Sequence, residues 1–144
     1  MAEQITKTII VKANITNVYG LWSNVENFPR FMEHIKSVEK TGPTTSRWIM
    51  AGPAGMQIDW QAELTRQELN KRLAWNSKDH EGLITTSGQV TFNNLSNDET
   101  EITVIMSYKV PGGKIGQAIA DWFANPEERL TADLRRFKAL AEDA

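Results

Sequence analysis

The chain has 144 residues, of which 40% are hydrophobic and 24% charged, and its formal net charge is -2. This length predicts one domain over residues 1–144, and the slight negative charge gives no electrostatic reason to expect nucleic acid or an anionic membrane as a partner. The absence of cysteine excludes disulfides, thiolate metal sites and a cysteine nucleophile. No signal peptide and no stretch near the ~20 apolar residues of a membrane span are present, so we expect a cytoplasmic protein without a transmembrane segment.

The first elements are a strand and two short helices. Residues 8–13, TIIVKA, are rich in β-branched side chains and predict a strand. Behind Thr16, a suitable N-cap, an i, i+3, i+4, i+7 spacing predicts a short amphipathic helix. Its apolar residues are Val18, Leu21, Trp22 and Val25. The same spacing recurs in Phe28, Phe31, Met32 and Ile35, and Pro29 suits the first turn of a second short helix.

Strands are predicted from residue 37 to residue 110, because alternating segments are separated by stretches rich in Gly, Pro, Asn and Asp. The predicted strands are 37–42, 46–52, 56–66, 71–77, 83–92 and 100–110. Ile58, Trp60 and Ala62 share one side of their strand, while Asp59 and Gln61 share the other. The pattern indicates an antiparallel sheet with one apolar face to cover.

A long C-terminal helix is predicted to cover that face. Asn125 and Pro126 suit an N-cap and a first helical turn. A narrow apolar stripe follows, formed by Leu130, Leu134, Phe137 and Ala141. The predicted fold is α+β: a curved antiparallel sheet of about seven strands wraps around the C-terminal helix, and two short helices after strand 1 close its open end.

Five segments carry a resemblance to a known superfamily. They are VYGLWSNVENFPRFMEHIKSVE, GPAGMQIDWQAE, LAWNS, SGQVTF and DLRRFKALAED. In this order they resemble the helix-grip superfamily called SRPBCC, which includes START-related lipid-transfer domains, polyketide cyclase/dehydrases and coenzyme Q-binding proteins. The chain is most similar to bacterial cyclase/dehydrase-like members. The resemblance implies a cavity between sheet and terminal helix for an apolar or aromatic small molecule, and it implies no fixed catalytic motif.

The residues that most often carry chemistry form no recognisable constellation. His34 and His80 are the only histidines, and neither is spaced with other ligands, so we expect no metal and no cofactor. We expect His80 in a solvated turn and His34 either at the rim of the cavity or exposed. No G-x-S-x-G motif is present, which disfavours serine hydrolysis. The catalytic residues of an enzyme, if it is one, are not identified by the sequence.

Bulky side chains on the apolar phase of the strands are the better guide to a binding site. Such aromatics commonly fill a core, but several rings gathered with methionines on a concave face also suit an adaptable pocket. We expect the ligand-binding lining to consist of Phe31, Met32, Trp48, Met50, Ile58, Trp60, Trp75, Val90, Phe92, Val104, Met106, Tyr108, Leu130, Leu134 and Phe137.

The sequence predicts binding of a small hydrophobic ligand, such as a lipid, an isoprenoid or quinone, or a polyketide-like aromatic. One alternative is a polyketide cyclase or dehydratase that uses the same cavity. Another is a protein-interaction or regulatory module with a largely filled cavity. Several polar groups converging on the cavity favour the enzyme, and one or none favours a carrier. Oligomeric state is not predicted.

Overall fold

The computed structural model describes residues 3–77, 85–109, 113, 117 and 125–143. Its strands are β1 Glu3–Val11, β2 Ile35–Lys40, β3 Thr45–Ala51, β4 Gln57–Glu68, β5 Arg72–Ser77, β6 Thr85–Ser96 and β7 Glu99–Lys109. The described residues include the α-helices α1 Ile15–Ser23 and α2 Pro126–Glu142, and 3-10 helices span Val25–Arg30 and Pro53–Gly55. The predicted turn around His80 and most of the stretch before Asn125 lie outside the described residues.

The strands form one seven-stranded sheet in the order β1-β7-β6-β5-β4-β3-β2, with every pair antiparallel. Consecutive strands from β2 to β7 are neighbours, as in a series of hairpins. The first strand, β1, is an edge strand and pairs with the last strand, β7. Side chains alternate as predicted: on β4, Ile58, Trp60 and Ala62 are buried, and Asp59 and Gln61 are exposed. One face of the sheet is therefore apolar and covered.

Helix α2 covers that face. Leu130, Leu134, Phe137 and Ala141 are all buried, and Phe137 is fully inaccessible. The predicted arrangement of a curved antiparallel sheet around a C-terminal helix, the helix-grip fold, is confirmed. Asn125 occupies the N-cap position, but its backbone is left-handed, at φ 62°, and its side chain makes no capping hydrogen bond within the described residues. Its carbonyl oxygen accepts from the Glu128 N–H at 3.1 Å instead.

Two local details in the N-terminal third differ from the sequence prediction. The cap of α1 is Asn14, whose Oδ1 accepts from the Thr16 N–H at 2.9 Å, so Thr16 lies inside the helix. The second short helix is present, but it is a 3-10 helix, Val25–Arg30, that ends before Ile35 and holds Pro29 inside it instead of in its first turn. Proline has no N–H and its ring hinders continuation of an α-helix. Ile35, which was predicted on the helical face, is instead the first residue of β2.

The apolar face predicted for that second segment is nevertheless buried. Phe28, Phe31, Met32 and Ile35 all belong to the core. The N–H groups of Phe31 and Met32 both donate to the Phe28 carbonyl oxygen, at 3.1 and 2.8 Å, which turns the chain back toward the sheet. Within the described residues, no helix is long and apolar enough to cross a membrane.

Polar contacts fix the position of α2. Arg136 Nε donates to the Phe31 carbonyl oxygen at 3.0 Å, and Lys138 Nζ donates to the Ile10 carbonyl oxygen at 3.0 Å. Glu142 accepts from the Lys12 N–H at 2.8 Å. The helix is therefore tied to the end of β1 and to the segment that follows the first 3-10 helix.

Candidate functional site

A cavity of about 140 Å³ lies between the concave face of the sheet, the segment after the first 3-10 helix and the beginning of α2. We call it the main cavity. Every strand of the sheet contributes one or more residues to it. The sheet residues are Ile5, Ile35, Trp48, Met50, Trp60, Trp75, Thr86 and Met106, and the remaining described lining is Phe28, Met32, His34, Pro126, Arg129, Leu130 and Asp133.

Strand register brings the sheet residues together. Trp48 on β3 lies opposite Trp60 on β4, and Ile5 on β1 lies opposite Met106 on β7. Directly opposed residues of antiparallel strands project to the same face, so each pair reaches the cavity side by side. The two indoles are stacked, with centroids 5.9 Å apart and planes 16° apart.

Trp48 is held firmly. Its Nε1–H donates to Ser46 Oγ at 2.9 Å, in a buried hydrogen bond. The Phe28 ring meets the Trp48 ring edge to face, with centroids 4.8 Å apart. This aromatic wall is therefore already formed, which lowers the ordering cost of binding a flat ligand against it.

Among the described lining residues, four have polar side chains and the rest are apolar; the four are His34, Thr86, Arg129 and Asp133. All four are half-buried. Arg129 and Asp133 are four residues apart on α2 and therefore share one face of the helix. Several polar groups therefore converge on one cavity, which is the feature expected of an enzyme rather than of a carrier.

Asp133 has the most informative surroundings. Burial raises its pKa above the ordinary value of 3.8, although a hydrogen bond from Arg136, the Glu33 N–H and the charges of Arg136 and His34 act in the opposite direction. The Glu33 N–H donates to Asp133 Oδ1 at 3.4 Å, and Arg136 Nη2 donates to the same oxygen. The carboxyl group thus combines a structural link with proximity to His34.

A second, much smaller cavity of about 10 Å³ lies next to the main one. We call it the small cavity; it has room for about one water molecule. Its lining is Trp22, Ser23, Val25, Phe28, Ser46, Trp48, Ala62, Leu64, Leu73 and Trp75. Phe28, Trp48 and Trp75 border both cavities.

The residues predicted to line the site divide into two groups. Those that border the main cavity are Met32, Trp48, Met50, Trp60, Trp75, Met106 and Leu130. Those buried in the core and absent from its described lining are Phe31, Ile58, Val90, Phe92, Val104, Leu134 and Phe137. The side chain of Tyr108 lies outside the described part of the chain. Contact of any of them with a ligand remains a prediction.

Packing explains why the second group does not reach the cavity. The Phe31 and Phe137 rings meet edge to face at 4.9 Å, and Phe92 meets Tyr19 of α1 at 5.3 Å. These rings pack against one another in the core and therefore do not face the main cavity. Arg129 and Asp133 were missed because polar residues beside an apolar helical stripe ordinarily face solvent; their i, i+4 spacing next to Leu130 was the available signal. Thr86 shares its strand phase with the buried Val90 and Phe92, so the alternation of β6 was the available signal for it.

Within the described residues, no group of three His, Asp or Glu side chains is arranged to hold a metal ion.

A seven-stranded antiparallel sheet that grips a C-terminal helix, with a cavity between them, defines the helix-grip class of proteins. The chain belongs to the family described as polyketide cyclase / dehydrase and lipid transport, whose model matches residues 11–135. This finding confirms the polyketide cyclase/dehydrase-like membership that the sequence resemblance predicted.

The chain is also similar to individual proteins along nearly its whole length. The chain is 26% identical, over 97% of its length and 90% of the relative's, to an uncharacterised 17.2 kDa protein of Streptomyces lincolnensis. The solved structure of DR_A0006 from Deinococcus radiodurans is 30% identical, with 97% of each chain covered and a TM-score of 0.78. The Zhui aromatase/cyclase of Streptomyces sp. R1128 shares the fold at 17% identity, with 99% and 94% of the two chains covered and a TM-score of 0.79.

Proposed function

We propose that this protein binds a small, flat, apolar molecule, an aromatic ring compound, in the main cavity. The observation that carries the proposal is the wall formed by Trp48, Trp60 and Trp75, together with Met32, Met50 and Met106, around a space of about 140 Å³. Indole faces suit flat rings, and flexible methionines adapt to their outline. The family description and the aromatase/cyclase with the same fold support this class of ligand.

The size of the main cavity narrows the ligand classes that the sequence suggested. Pockets for drug-sized ligands measure roughly 300–1,000 Å³, whereas an apolar cavity of about 150 Å³ holds one benzene ring. At about 140 Å³ the main cavity therefore matches a single ring. A lipid or a long isoprenoid chain would require the walls to move.

The interaction-module alternative required a largely filled interior, and the main cavity argues against it. Net charge does not indicate a partner protein either, because the formal net charge of the whole chain is only -2.

The direct experiment is titration with toluene, followed by ligand-observed NMR and by chemical-shift changes of the indole N–H groups. We expect saturable binding with a Kd below about 1 mM, which corresponds to about -4.1 kcal/mol. Met106→Trp fills the main cavity and should weaken binding at least 10-fold. Ala62→Leu is the matched control, because Ala62 borders only the small cavity and its substitution should leave the Kd within about threefold.

Absence of saturable binding to the unmodified protein would contradict the proposal. An equal loss in both variants would mean that toluene binds elsewhere or that any core substitution disturbs binding. Circular dichroism of each variant, recorded before titration, confirms that the fold is retained.

A second candidate function is catalysis of cyclisation or dehydration at the same site. The observation that favours it is the presence of His34 and Asp133 on one cavity, with burial raising the pKa of the Asp133 carboxyl. A carboxyl group and an imidazole near an apolar pocket can transfer protons to and from a bound carbonyl compound. Loss of water from a β-hydroxy carbonyl compound requires such transfer, since a proton leaves carbon and the departing hydroxyl group accepts one.

The test uses a β-hydroxy aryl ketone and follows loss of water from it by mass spectrometry of the unsaturated ketone that forms. An enzyme should accelerate this release, and Asp133→Asn or His34→Gln should reduce the rate by roughly 10²–10⁴-fold while toluene affinity stays within a few-fold. No acceleration by the unmodified protein would remove this candidate and leave ligand binding as the function.

A further inference from the structure

Three described aromatic side chains border both the main cavity and the small cavity. They are Phe28, Trp48 and Trp75, and we call these shared rings the partition. Beyond the partition lie apolar side chains of β4 and β5, including Ala62 and Leu73. Whether the two spaces act separately or as one therefore depends on these three rings.

Two of the three rings are fixed in place. Phe28 is 2% exposed and packs against both Trp22 and Trp48, at centroid distances of 5.4 and 4.8 Å. Trp48 donates its indole N–H to Ser46 and stacks on Trp60. Moving either ring would break a buried hydrogen bond or several aromatic contacts at once.

Trp75 is held differently. Its side chain is only half-buried, and within the described residues it makes no hydrogen bond and no aromatic pair. It lies across Gly88, its partner on β6, so closely that a Cβ atom at residue 88 would come within 2.4 Å of Trp75 Cζ2. The pairing of β4 with β5 also shifts register between Leu64 and Arg66, beside the residue opposite Trp75.

The geometry points to Trp75 as a movable wall whose displacement joins the two cavities, so that the site admits a ligand with two fused aromatic rings. This inference rests on the proposed function and extends it to a ligand size. The first ring lies against Trp48 and Trp60 in the main cavity, and the second takes the position that the Trp75 indole leaves. Glycine at residue 88 leaves the backbone of β6 bare there, which gives the second ring a flat surface.

A hydrogen-bond donor lies on a residue that borders the small cavity. Trp22 borders the small cavity and is 1% exposed, and its Nε1–H has no partner within the described residues. A buried donor without a partner is costly, so an acceptor that reaches it adds affinity. A bicyclic ligand with a carbonyl or hydroxyl oxygen on its second ring meets that requirement better than a plain hydrocarbon does.

The experiment compares toluene, naphthalene and 1-tetralone on the unmodified protein and on two variants. Ala62→Leu fills the small cavity, so it should weaken naphthalene and 1-tetralone at least 10-fold and leave toluene within about threefold. Trp75→Ala removes the wall and should strengthen both two-ring probes relative to toluene. The indole N–H resonance of Trp75, assigned with Trp75→Phe, should shift far more with naphthalene than with toluene.

The outcomes separate the two proposals. If toluene fails to bind, the proposed function itself fails. If toluene binds but naphthalene does not, or if naphthalene binds equally well to Ala62→Leu with the Trp75 resonance unmoved, the movable wall is overturned. Tighter binding of 1-tetralone than of naphthalene, with a shift of the Trp22 indole N–H, supports the donor, and equal affinities overturn that part.

Discussion

The Asp133 side chain both links two segments of the fold and borders the main cavity. Its carboxylate accepts from the Glu33 N–H and from Arg136, which joins α2 to the segment before β2. Burial nevertheless outweighs these favourable contacts and raises the pKa. The ionised form is therefore less stable in the folded protein than in the unfolded chain.

This direction predicts the pH dependence of stability. A raised folded-state pKa means that the folded protein binds more protons than the unfolded chain between the ordinary value of 3.8 and the folded value. The free energy of unfolding of the unmodified protein, compared with that of Asp133→Asn, should therefore rise as the pH falls through that window from neutrality. Urea denaturation at several pH values measures the difference, and a fall would show that pairing with Arg136 dominates.

Helix α2 is the element on which the core depends. Phe137 is fully buried between Trp22 and Phe31, with centroid distances of 4.9 Å to each. These contacts join α2 to α1 and to the segment that follows the first 3-10 helix. The helix therefore contributes both the cover of the apolar face and one end of the main cavity.

Phe137→Ala should lower the free energy of unfolding by about 3–5 kcal/mol, as for other large buried aromatics. Leu140→Ala on the same helix is the control: Leu140 is half-buried, so its loss should cost clearly less. Urea denaturation with a common m-value measures both. A cost below about 1 kcal/mol for Phe137→Ala would mean that the helix is docked differently.

The β5–β6 pair makes a second prediction at this scale. Gly88→Ala places a methyl group against the Trp75 ring, and the overlap should cost about 1–3 kcal/mol. In a Trp75→Ala background most of that cost should disappear, because the obstructing ring is gone. A double-mutant cycle measures the coupling, and equal costs in both backgrounds would show that the glycine is needed for another reason.

For the whole molecule, binding and stability are linked. A ligand that binds only the folded protein, at ten times its Kd, adds about 1.4 kcal/mol to the free energy of unfolding. Toluene should therefore raise the midpoint of urea denaturation of the unmodified protein and leave Met106→Trp unchanged. An equal rise in both proteins would indicate binding outside the main cavity.

The sequence by itself determined the strands, the terminal helix and the covered face of the sheet. Alternation with a period of two and spacing with a period of 3.6 are local consequences of backbone geometry, so Trp60 and Leu130 could be assigned to the interior without any knowledge of their neighbours. The same argument reached its limit at Ile35: the spacing from Phe28 indicated a buried face, but the backbone that buries it is a 3-10 helix and the start of a strand.

Only the tertiary structure decided which interior residues line a cavity and which fill the core. Trp60 and Phe137 look alike in the sequence pattern, yet one borders open space and the other is enclosed by rings. That difference depends on sheet curvature and on packing differences of a few methylene groups, which no single segment encodes. The meeting of Asp133 with His34 is equally nonlocal, because docking of α2 against a distant segment brings the two side chains to one cavity.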